Sequence, residues 1–578
     1  MSSTSRQSDW SLQPALQVAL VLLAMLVVYV LLASATSLFD RDEPRFARAA
    51  VEMLGSGNYL VPHLNGELRP DKPVLIYWLM NVPLRILGPG SLAVRLPSII
   101  GMMVAAFGTY LIGQRMFCHR VGIWAMIMLA TSPLAAFMGT FATADGVLLG
   151  CVVVSVLGFV LMLKDRMRWP YVLLMLAGMA LGQLTKGPVA LLPVTGVVLG
   201  MRVLLGQRLR LGRRFWWSFA GCLLASVLAF LAWFIPASLA DPELGRQMFW
   251  RHFVARIGEP QEGHGGGNVL MYLLLTPMYL GVILGTFFPW TIHLPAGISA
   301  LIRGHLGTRR DRAFLWAWLI PTLAVMSLVA TKLPHYVLPM YPAMALLCAA
   351  VIDARARGCL SEKDRDWLRG GIWFFGPTAA VVAAGFTGVM VWFVGAQAWT
   401  LAPAVVIIAA VGVIGVTLQL KEHIFRGSRW IAVGVAAFVL ALLPGLTRVV
   451  EPQLHTSPAI AAAVRAKLAR HPDASVSWSD YNEPTLAYYV NLPADQRIAW
   501  TGYGAGEIVD WAKQPQPGVL ITYAEHLAAA RELDPALPVE VVEEVRTLNY
   551  AKEGEQRRVV VVWRKGEKKS TDESDQIR

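Results

Sequence analysis

Charged side chains crowd the stretch "FDRDEPRFAR", which brings Asp40, Arg41, Asp42, Glu43, Arg45 and Arg48 together directly after the apolar run at 15–37. Carboxylates at this spacing can take a proton or orient a nucleophile, and the arginines can hold an oxyanion. Pro44 suits the first turn of a helix, and Asp42 and Glu43 stand where carboxylates favour a helix N-terminus. Phe46, Ala49, Ala50, Met53 and Leu54 then recur at helical spacing, Arg45, Arg48 and Glu52 share another face, and Gly55 can end the element. The pattern predicts an amphipathic helix lying on a membrane surface. Its plainer alternative is a solvated helix start held by ion pairs.

Further reactive side chains sit at the edges of other apolar runs. In "ELRPDKPVLIYWL", Pro70 and Pro73 hold Asp71 and Lys72 in an extended bend, although Lys72 could equally snorkel. In "GTFATADGVLLG", Asp145 opens a run beside Thr143 and could be no more than a cap. "LTKGPVALLP" leaves Lys186 alone between two apolar runs, and "FWRHFVARIGEPQEGH" supplies Arg251, His252, Arg256 and His264. "ATKLPHYVLPMYPA" adds Lys332, His335 and Tyr336. His252 and His264 are weak candidates for a divalent metal, because their spacing fits no ligand motif; the expectation is that no cofactor is required. Two or three carboxylates and about half a dozen cations beside lipid call for an anionic partner, most simply two lipid-borne phosphates.

The elements that must position these residues follow from composition. The chain has 578 residues, 56% of them hydrophobic and 15% charged, and a mean hydropathy of +0.51. No soluble core of this size hides so much apolar surface, so repeated runs of about 20 residues are membrane spans. Thirteen are expected, near 15–37, 92–114, 121–138, 144–163, 170–185, 187–205, 215–237, 268–297, 313–330, 335–352, 371–394, 399–420 and 430–449. The shorter run at 74–87 carries Pro83 and Arg85 and predicts an interfacial or re-entrant helix. Six alternate loops, from "RMFCHR" to "KEHIFRGSR", are basic and belong on the cytoplasmic side with the N-terminus, which puts residues after about 450 outside. That accounts for the net charge of +13 without nucleic acid. Five cysteines show no zinc-ligand spacing, and with three inside apolar runs, two in basic loops and none beyond Glu451, no disulfide framework is expected.

Beyond Glu451 the pattern changes. "ASVSWS", "RIAWTG" and "GVLITY" predict short strands, "EPTLAYYV", "GEIVDWA" and "AEHLAAAREL" predict helices, and "VEVVEEVRTLNY" and "QRRVVVVWRK" predict a hairpin about "AKEGE". The expected organisation is a membrane domain at 1–450, a small soluble α/β domain at 451–564 and a disordered tail at 565–578.

The ordered set "RDEPRFA", "DKPVLIYWL", "AVRLPS", "TADGVLL", "LTKGP", "FWRHFVAR", "FFPW" and "KLPHYVLPMYPA" resembles the bacterial GT-C glycosyltransferases related to protein O-mannosyltransferases, and among them the lipid A aminoarabinose transferases. The likeness covers the membrane half. It implies a GT-C-like polytopic helical membrane protein of the bacterial inner membrane, with interfacial helices in its first outer loop and a periplasmic α/β domain. It implies a sugar donor on undecaprenyl phosphate, a lipid A phosphate acceptor and the resistance to polymyxin that this transfer confers. The family's acidic motif maps onto Asp42 and Glu43, its second acidic position onto Asp145, and its basic positions onto Arg45, Lys72 and Lys186. Phe46 stands where many relatives carry Tyr, which removes a hydroxyl there.

An oxocarbenium-like transition state with a phosphate leaving group needs cations, here Lys72, Arg45 and Lys186 with Lys332 and Arg251 in support. A phosphate monoester, with a second pKa of about 6, is already nucleophilic at neutral pH, so Asp42 would orient it or bind the sugar's ammonium, whereas a serine or threonine acceptor would need Asp42 to remove its proton. Direct attack inverts the anomeric centre. The chain is expected to act as a monomer among membrane lipids. Rival readings are a GT-C transferase with another polyprenyl-linked sugar or a protein acceptor, a lipid transporter or flippase, and a non-catalytic scaffold.

Overall fold

The computed structural model describes residues 13–39, 42–250, 277–493, 496–549 and 555–565. The chain divides into two compact units. The first holds the chain up to Ala35, Pro70–Val391 and Ala398–Leu443; the second holds Thr36–Arg69, Trp392–Gln397 and the chain from Pro444.

The first unit is helical. It opens with α1 (Pro14–Ala35). After the excursion of the chain into the second unit, where α2 (Glu43–Ser56) lies, it continues with α3 (Leu75–Leu87), α4 (Ser91–Met116), α5 (His119–Thr131), α6 (Pro133–Gly139), α7 (Ala144–Lys164), α8 (Trp169–Lys186), α9 (Leu192–Leu205) and α10 (Arg213–Ala240). Among the described residues, nine helical segments are long and apolar enough to cross a membrane, or eleven if two bent pairs each count as one span. The bent pairs are α5 with α6, at 69°, and Met278–Thr286 with Trp290–Arg303, at 112°. This is fewer than the thirteen expected. The runs at 170–185 and 187–205 fall in one apolar stretch, Trp169–Arg208. The helix Arg309–Leu328, which covers most of the run at 313–330, starts with Arg309, Arg310, Asp311 and Arg312 and is not among the nine. At 1.5 Å per residue α3 is only about 20 Å long, short of a 30 Å hydrocarbon core.

Leu16, Leu20, Leu23, Val27 and Leu31 of α1 stay exposed, as side chains meant for lipid do, whereas α7 is enclosed by protein. Glycine explains the enclosure. A Cβ on Gly146 of α7 would lie 2.9 Å from the Ser98 carbonyl oxygen, and one on Gly150 would lie 2.7 Å from that of Gly101. Behind α7, a Cβ on Gly178 of α8 would lie 2.5 Å from the Cys151 carbonyl oxygen. The helices therefore touch backbone to backbone, the contact that a Gly-xxx-Gly spacing permits between spans.

The second unit carries a sheet of order β4-β3-β5-β7-β6, with β3 at Ser475–Trp478, β4 at Ala499–Trp500, β5 at Gly518–Tyr523, β6 at Val539–Asn549 and β7 at Glu555–Arg564. β4 and β5 run parallel to β3; β7 is antiparallel to both β5 and β6. Every residue of β5 is buried, because helices cover both faces. Val519 and Ile521 pack with Ile460, Val464 and Leu486 on one side; Leu520 packs with Ile508, Trp511 and Leu527 on the other. The two-stranded hairpin of β1 (His63–Leu64) and β2 (Glu67–Leu68) belongs to the same unit, as does α2.

The helix over α2 starts as expected but ends two residues later, at the left-handed Gly57. Phe46, Ala49, Ala50 and Met53 are buried as the periodicity requires. The polar face departs from expectation. Arg48 and Glu52 are 1% and 5% exposed and bridge at 2.6 Å instead of facing water or headgroups. Arg48 also donates to the Leu492 carbonyl, and Glu52 accepts the Asn65 and Gly66 N–H groups. A charged residue at helical spacing does not reveal whether distant chain will cover it.

Candidate active site

Asp145 lies in the first turn of α7 and Lys186 in the last turn of α8, each at the helix end whose dipole suits its charge. The two helices are consecutive and pack together, so those ends meet. Lys186 Nζ donates to Asp145 Oδ1 at 2.6 Å, and both side chains are about nine-tenths buried. His335 Nε2 lies 3.9 Å from the other carboxylate oxygen. The Lys186 ammonium also sits 5.4 Å from the centre of the Tyr336 ring, and His335 meets that ring edge-on at 5.2 Å. Lys72 adds its own attraction to the Asp145 carboxylate, while its ammonium donates to the Asp71 carbonyl at 3.2 Å. Five residues separated by up to 264 positions, Lys72, Asp145, Lys186, His335 and Tyr336, thus form one cluster within the first unit. Asp71 stands next to it, half-buried.

Lys332 is differently engaged. It is buried, and its ammonium donates to the Val329 carbonyl at 2.8 Å and to that of Ser327, closing the C-terminal end of Arg309–Leu328. Burial lowers its pKa from the ordinary lysine value.

Asp42, Glu43 and Arg45 belong to the second unit. Asp42 precedes α2 and is exposed. Glu43 is fully buried, and its Oε2 accepts the Phe39 N–H at 2.9 Å, which ties the loop back on the helix. Arg45 is half-buried. The same loop is held by Glu451, whose Oε1 accepts the Ser37 N–H at 2.8 Å and whose Oε2 pairs with His455 at 2.6 Å. Burial raises the Glu451 carboxyl, but the His455 and Ser37 bonds outweigh it and hold the group below its ordinary value. Arg251, His252, Arg256 and His264 lie outside the described residues. Among the described residues no three His, Cys, Asp or Glu side chains group as metal ligands.

Sequence reasoning missed two supports of this site. Gly146 and Gly150 form a Gly-xxx-Gly pair directly after Asp145, a signal visible in "ADGVLLGC", and they fix the height of the carboxylate against α4. Ser98 of α4 donates to the Thr143 carbonyl at 3.0 Å and pins the turn that carries Asp145. An apolar cavity of about 490 Å³ opens beside the same helices. α3, α4, α7 and α8 line it, with Pro83, Ile100, Val147, Val154 and Leu181 among its walls. The arrangement pairs a cationic and carboxylate cluster with a slot fit for a hydrocarbon chain.

Residues 71–233 match the family described as dolichyl-phosphate-mannose-protein mannosyltransferase. A relative from Edwardsiella ictaluri (strain 93-146), undecaprenyl phosphate-alpha-4-amino-4-deoxy-L-arabinose arabinosyl transferase, is 27% identical over 327 residues. Those residues are 55% of this chain and 56% of that one, so the chain spans little more than half the length of this relative in the match. ArnT from Cupriavidus metallidurans in the apo state superposes with a TM-score of 0.73 at 20% identity, over 95% of this chain and 97% of that one. The same protein bound to undecaprenyl phosphate gives 0.72 over the same shares. At 20% identity the likeness establishes the fold, that of a multi-pass helical membrane protein. The resemblance carried by the ordered motifs is thereby borne out.

Proposed function

We propose that the chain is a glycosyltransferase that moves 4-amino-4-deoxy-L-arabinose from undecaprenyl phosphate to a lipid A phosphate, on the periplasmic face of the bacterial inner membrane. One observation carries this reading: Lys72, Asp145 and Lys186, with His335 beside them, stand at the ends of helices that also line an apolar cavity of about 490 Å³. A polyprenyl phosphate needs both, a cation for its head and a slot for its tail, and each buried CH₂ adds about 0.8 kcal/mol. The named relative transfers this sugar from this carrier.

In the reaction an oxygen of the acceptor phosphate attacks the anomeric carbon. The bond from that carbon to the donor phosphate oxygen breaks, and the electron pair leaves with undecaprenyl phosphate, inverting the centre. Lys186 and Lys72 take up the charge that grows on the departing phosphate, with Arg45 and Arg251 assigned to supporting phosphate contacts, while Lys332 stays on the carbonyls of its own helix end. Asp145 holds Lys186 in place and takes the sugar's ammonium or hydroxyls with His335 and Tyr336. Asp42, which is exposed, is assigned to orient the acceptor, whose phosphate needs no strong base, while the buried Glu43 holds the loop before α2. His252, Arg256, His264 and Asp71 remain substrate-binding candidates, and no cofactor is required.

The proposed topology has thirteen spans. It counts the 40-residue stretch Trp169–Arg208 as two, since it would be about 60 Å long as one helix, and adds Arg309–Leu328 to the other ten. The N-terminus is then cytoplasmic and the second unit periplasmic, and the chain works as a monomer.

Mass spectrometry of lipid A from cells with and without the protein tests the reading. The expected result is an increment of one aminoarabinose that vanishes without the protein. A different increment points to another polyprenyl-linked sugar. No sugar transfer by the purified protein, with accelerated lipid flipping, would replace the enzyme by a flippase.

A further inference from the structure

The second unit holds a polar cluster that the transfer reaction leaves unused. From β3 the chain crosses to β4 on one side of the sheet; from β5 it moves on toward β6 and β7 on the other. β3 and β5 are parallel neighbours, so the loops leaving them diverge and open a gap at their carboxyl ends, the usual place for a ligand in such sheets. Asp480 follows β3 and His526 follows β5, and they meet across this gap: His526 Nδ1 lies 2.7 Å from Asp480 Oδ2. The same carboxylate oxygen accepts the Ser479 hydroxyl at 2.9 Å and the Gly504 N–H at 3.3 Å.

Asp480 adopts φ +63°, a left-handed conformation that costs energy in most residues and that aspartate tolerates better than most. The side chain is about 10% exposed and His526 about 30%, so the acid anchors the ring and leaves the imidazole at the surface. The loop that supplies the Gly504 N–H is Thr501–Gly504, with left-handed Gly502 and Gly504. Two exposed aromatic rings flank it, Trp500 at the end of β4 (42% exposed) and Tyr503 in the loop (77%), packed edge-to-face with ring centres 4.7 Å apart and planes at 71°.

The charges around the gap select the ligand class. Asp480 and Glu525 face His526, Arg557 pairs with Glu525 at 3.2 Å and lies over the Tyr523 ring, and Glu507 packs against Gly502. Three carboxylates against one arginine and one histidine disfavour a phosphate. An exposed tyrosine ring beside carboxylate and imidazole acceptors suits a flat ring of C–H groups bordered by hydroxyls. We propose that the polar cluster at the carboxyl ends of β3 and β5 is a saccharide-binding site, formed wholly by the second unit, in which the exposed Tyr503 ring, braced edge-on by Trp500, stacks on a sugar ring and Asp480 and His526 accept its hydroxyls. Such a site goes beyond the transfer reaction: it holds a glycan without changing it.

The full chain in detergent is titrated calorimetrically with the β-1,6-linked glucosamine disaccharide, free of phosphate and acyl chains. Saturable heat is expected. Asp480→Asn, which keeps a residue tolerant of the left-handed backbone, and Tyr503→Ala, at an exposed position, are each expected to weaken binding about tenfold or more. Unchanged melting temperatures show that both variants remain folded. Lys186→Met is expected to leave the affinity as it is, whatever it does to sugar transfer, so the two readings stand or fall separately. No saturable heat, equal affinity in the folded variants, or inorganic phosphate displacing the disaccharide would each overturn the assignment.

Discussion

Lys186→Met separates holding Asp145 from serving a phosphate. In the structure the Lys186–Asp145 pair is 2.6 Å long and about nine-tenths buried. Removing one partner of a buried pair costs about 3–5 kcal/mol, because the other charge is left uncompensated. His335 at 3.9 Å and the nearby Lys72 compensate in part, so the loss of stability should fall at the lower end, about 3 kcal/mol. Adding Asp145→Asn removes the stranded charge and should return most of that stability, since replacing both partners is far milder than replacing one. Activity should behave differently. If the ammonium stabilises the leaving phosphate, its loss lowers the rate about 10²- to 10³-fold, as loss of one oxyanion donor does. The double variant then stays inactive while its melting temperature recovers. The assay is transfer of sugar from purified undecaprenyl phosphate donor to lipid A in detergent, beside thermal melts of the same samples. Recovery of transfer together with stability in the double variant would show that Lys186 only neutralises Asp145 and that Asp145 holds no sugar, and both the phosphate role and the sugar role would be lost.

Other outcomes follow from neighbouring contacts. Gly146→Leu should destabilise the first unit by about 1–3 kcal/mol and abolish transfer, since its Cβ alone would sit 2.9 Å from the Ser98 carbonyl oxygen, one residue from Asp145; thermal melts and the same transfer assay check it. Glu52→Ala should destabilise the second unit by about 3–5 kcal/mol by stranding Arg48, whereas Arg48→Met with Glu52→Gln should cost much less; thermal melts of both variants check this. Glu451 is held below its ordinary value, taken as 4.5, so its contribution to stability is complete above that pH and falls away as pH drops through the folded value. Glu451→Gln should therefore flatten the acid limb of a melting-temperature profile below pH 4.5.

The helices and strands were legible because their periodicities are local. The apolar run of β5 and the mixed patterns of β6 and β7 announce a sheet covered by helices, and they pair as expected. The cluster around Asp145 was legible for a related reason: charge at the edge of an apolar run is rare enough to stand out. The partners of those residues were not. Nothing near Arg48 in the chain says that the Leu492 carbonyl, 444 residues on, accepts its guanidinium hydrogen, or that 36–69 groups with the C-terminal sheet. Lys332 carried the same surface signal as Lys186, yet it turns back onto the carbonyls of its own preceding helix. Residue type marks where chemistry is affordable, whereas long-range packing decides which groups perform it.

The Asp145–Lys186 pair also bears on how the chain is made. Its members are 41 residues apart, so during synthesis the acid reaches the bilayer well before its lysine exists. At about 5–20 residues per second the interval is roughly 2 to 8 s. Through that time the newborn span carries a carboxyl group that costs about 2.5–3.5 kcal/mol at the bilayer centre. Its place in the first turn of α7 lets it wait among headgroups, and the arrival of α8 then draws it into protein. A ribosome stalled between the two spans would expose this intermediate.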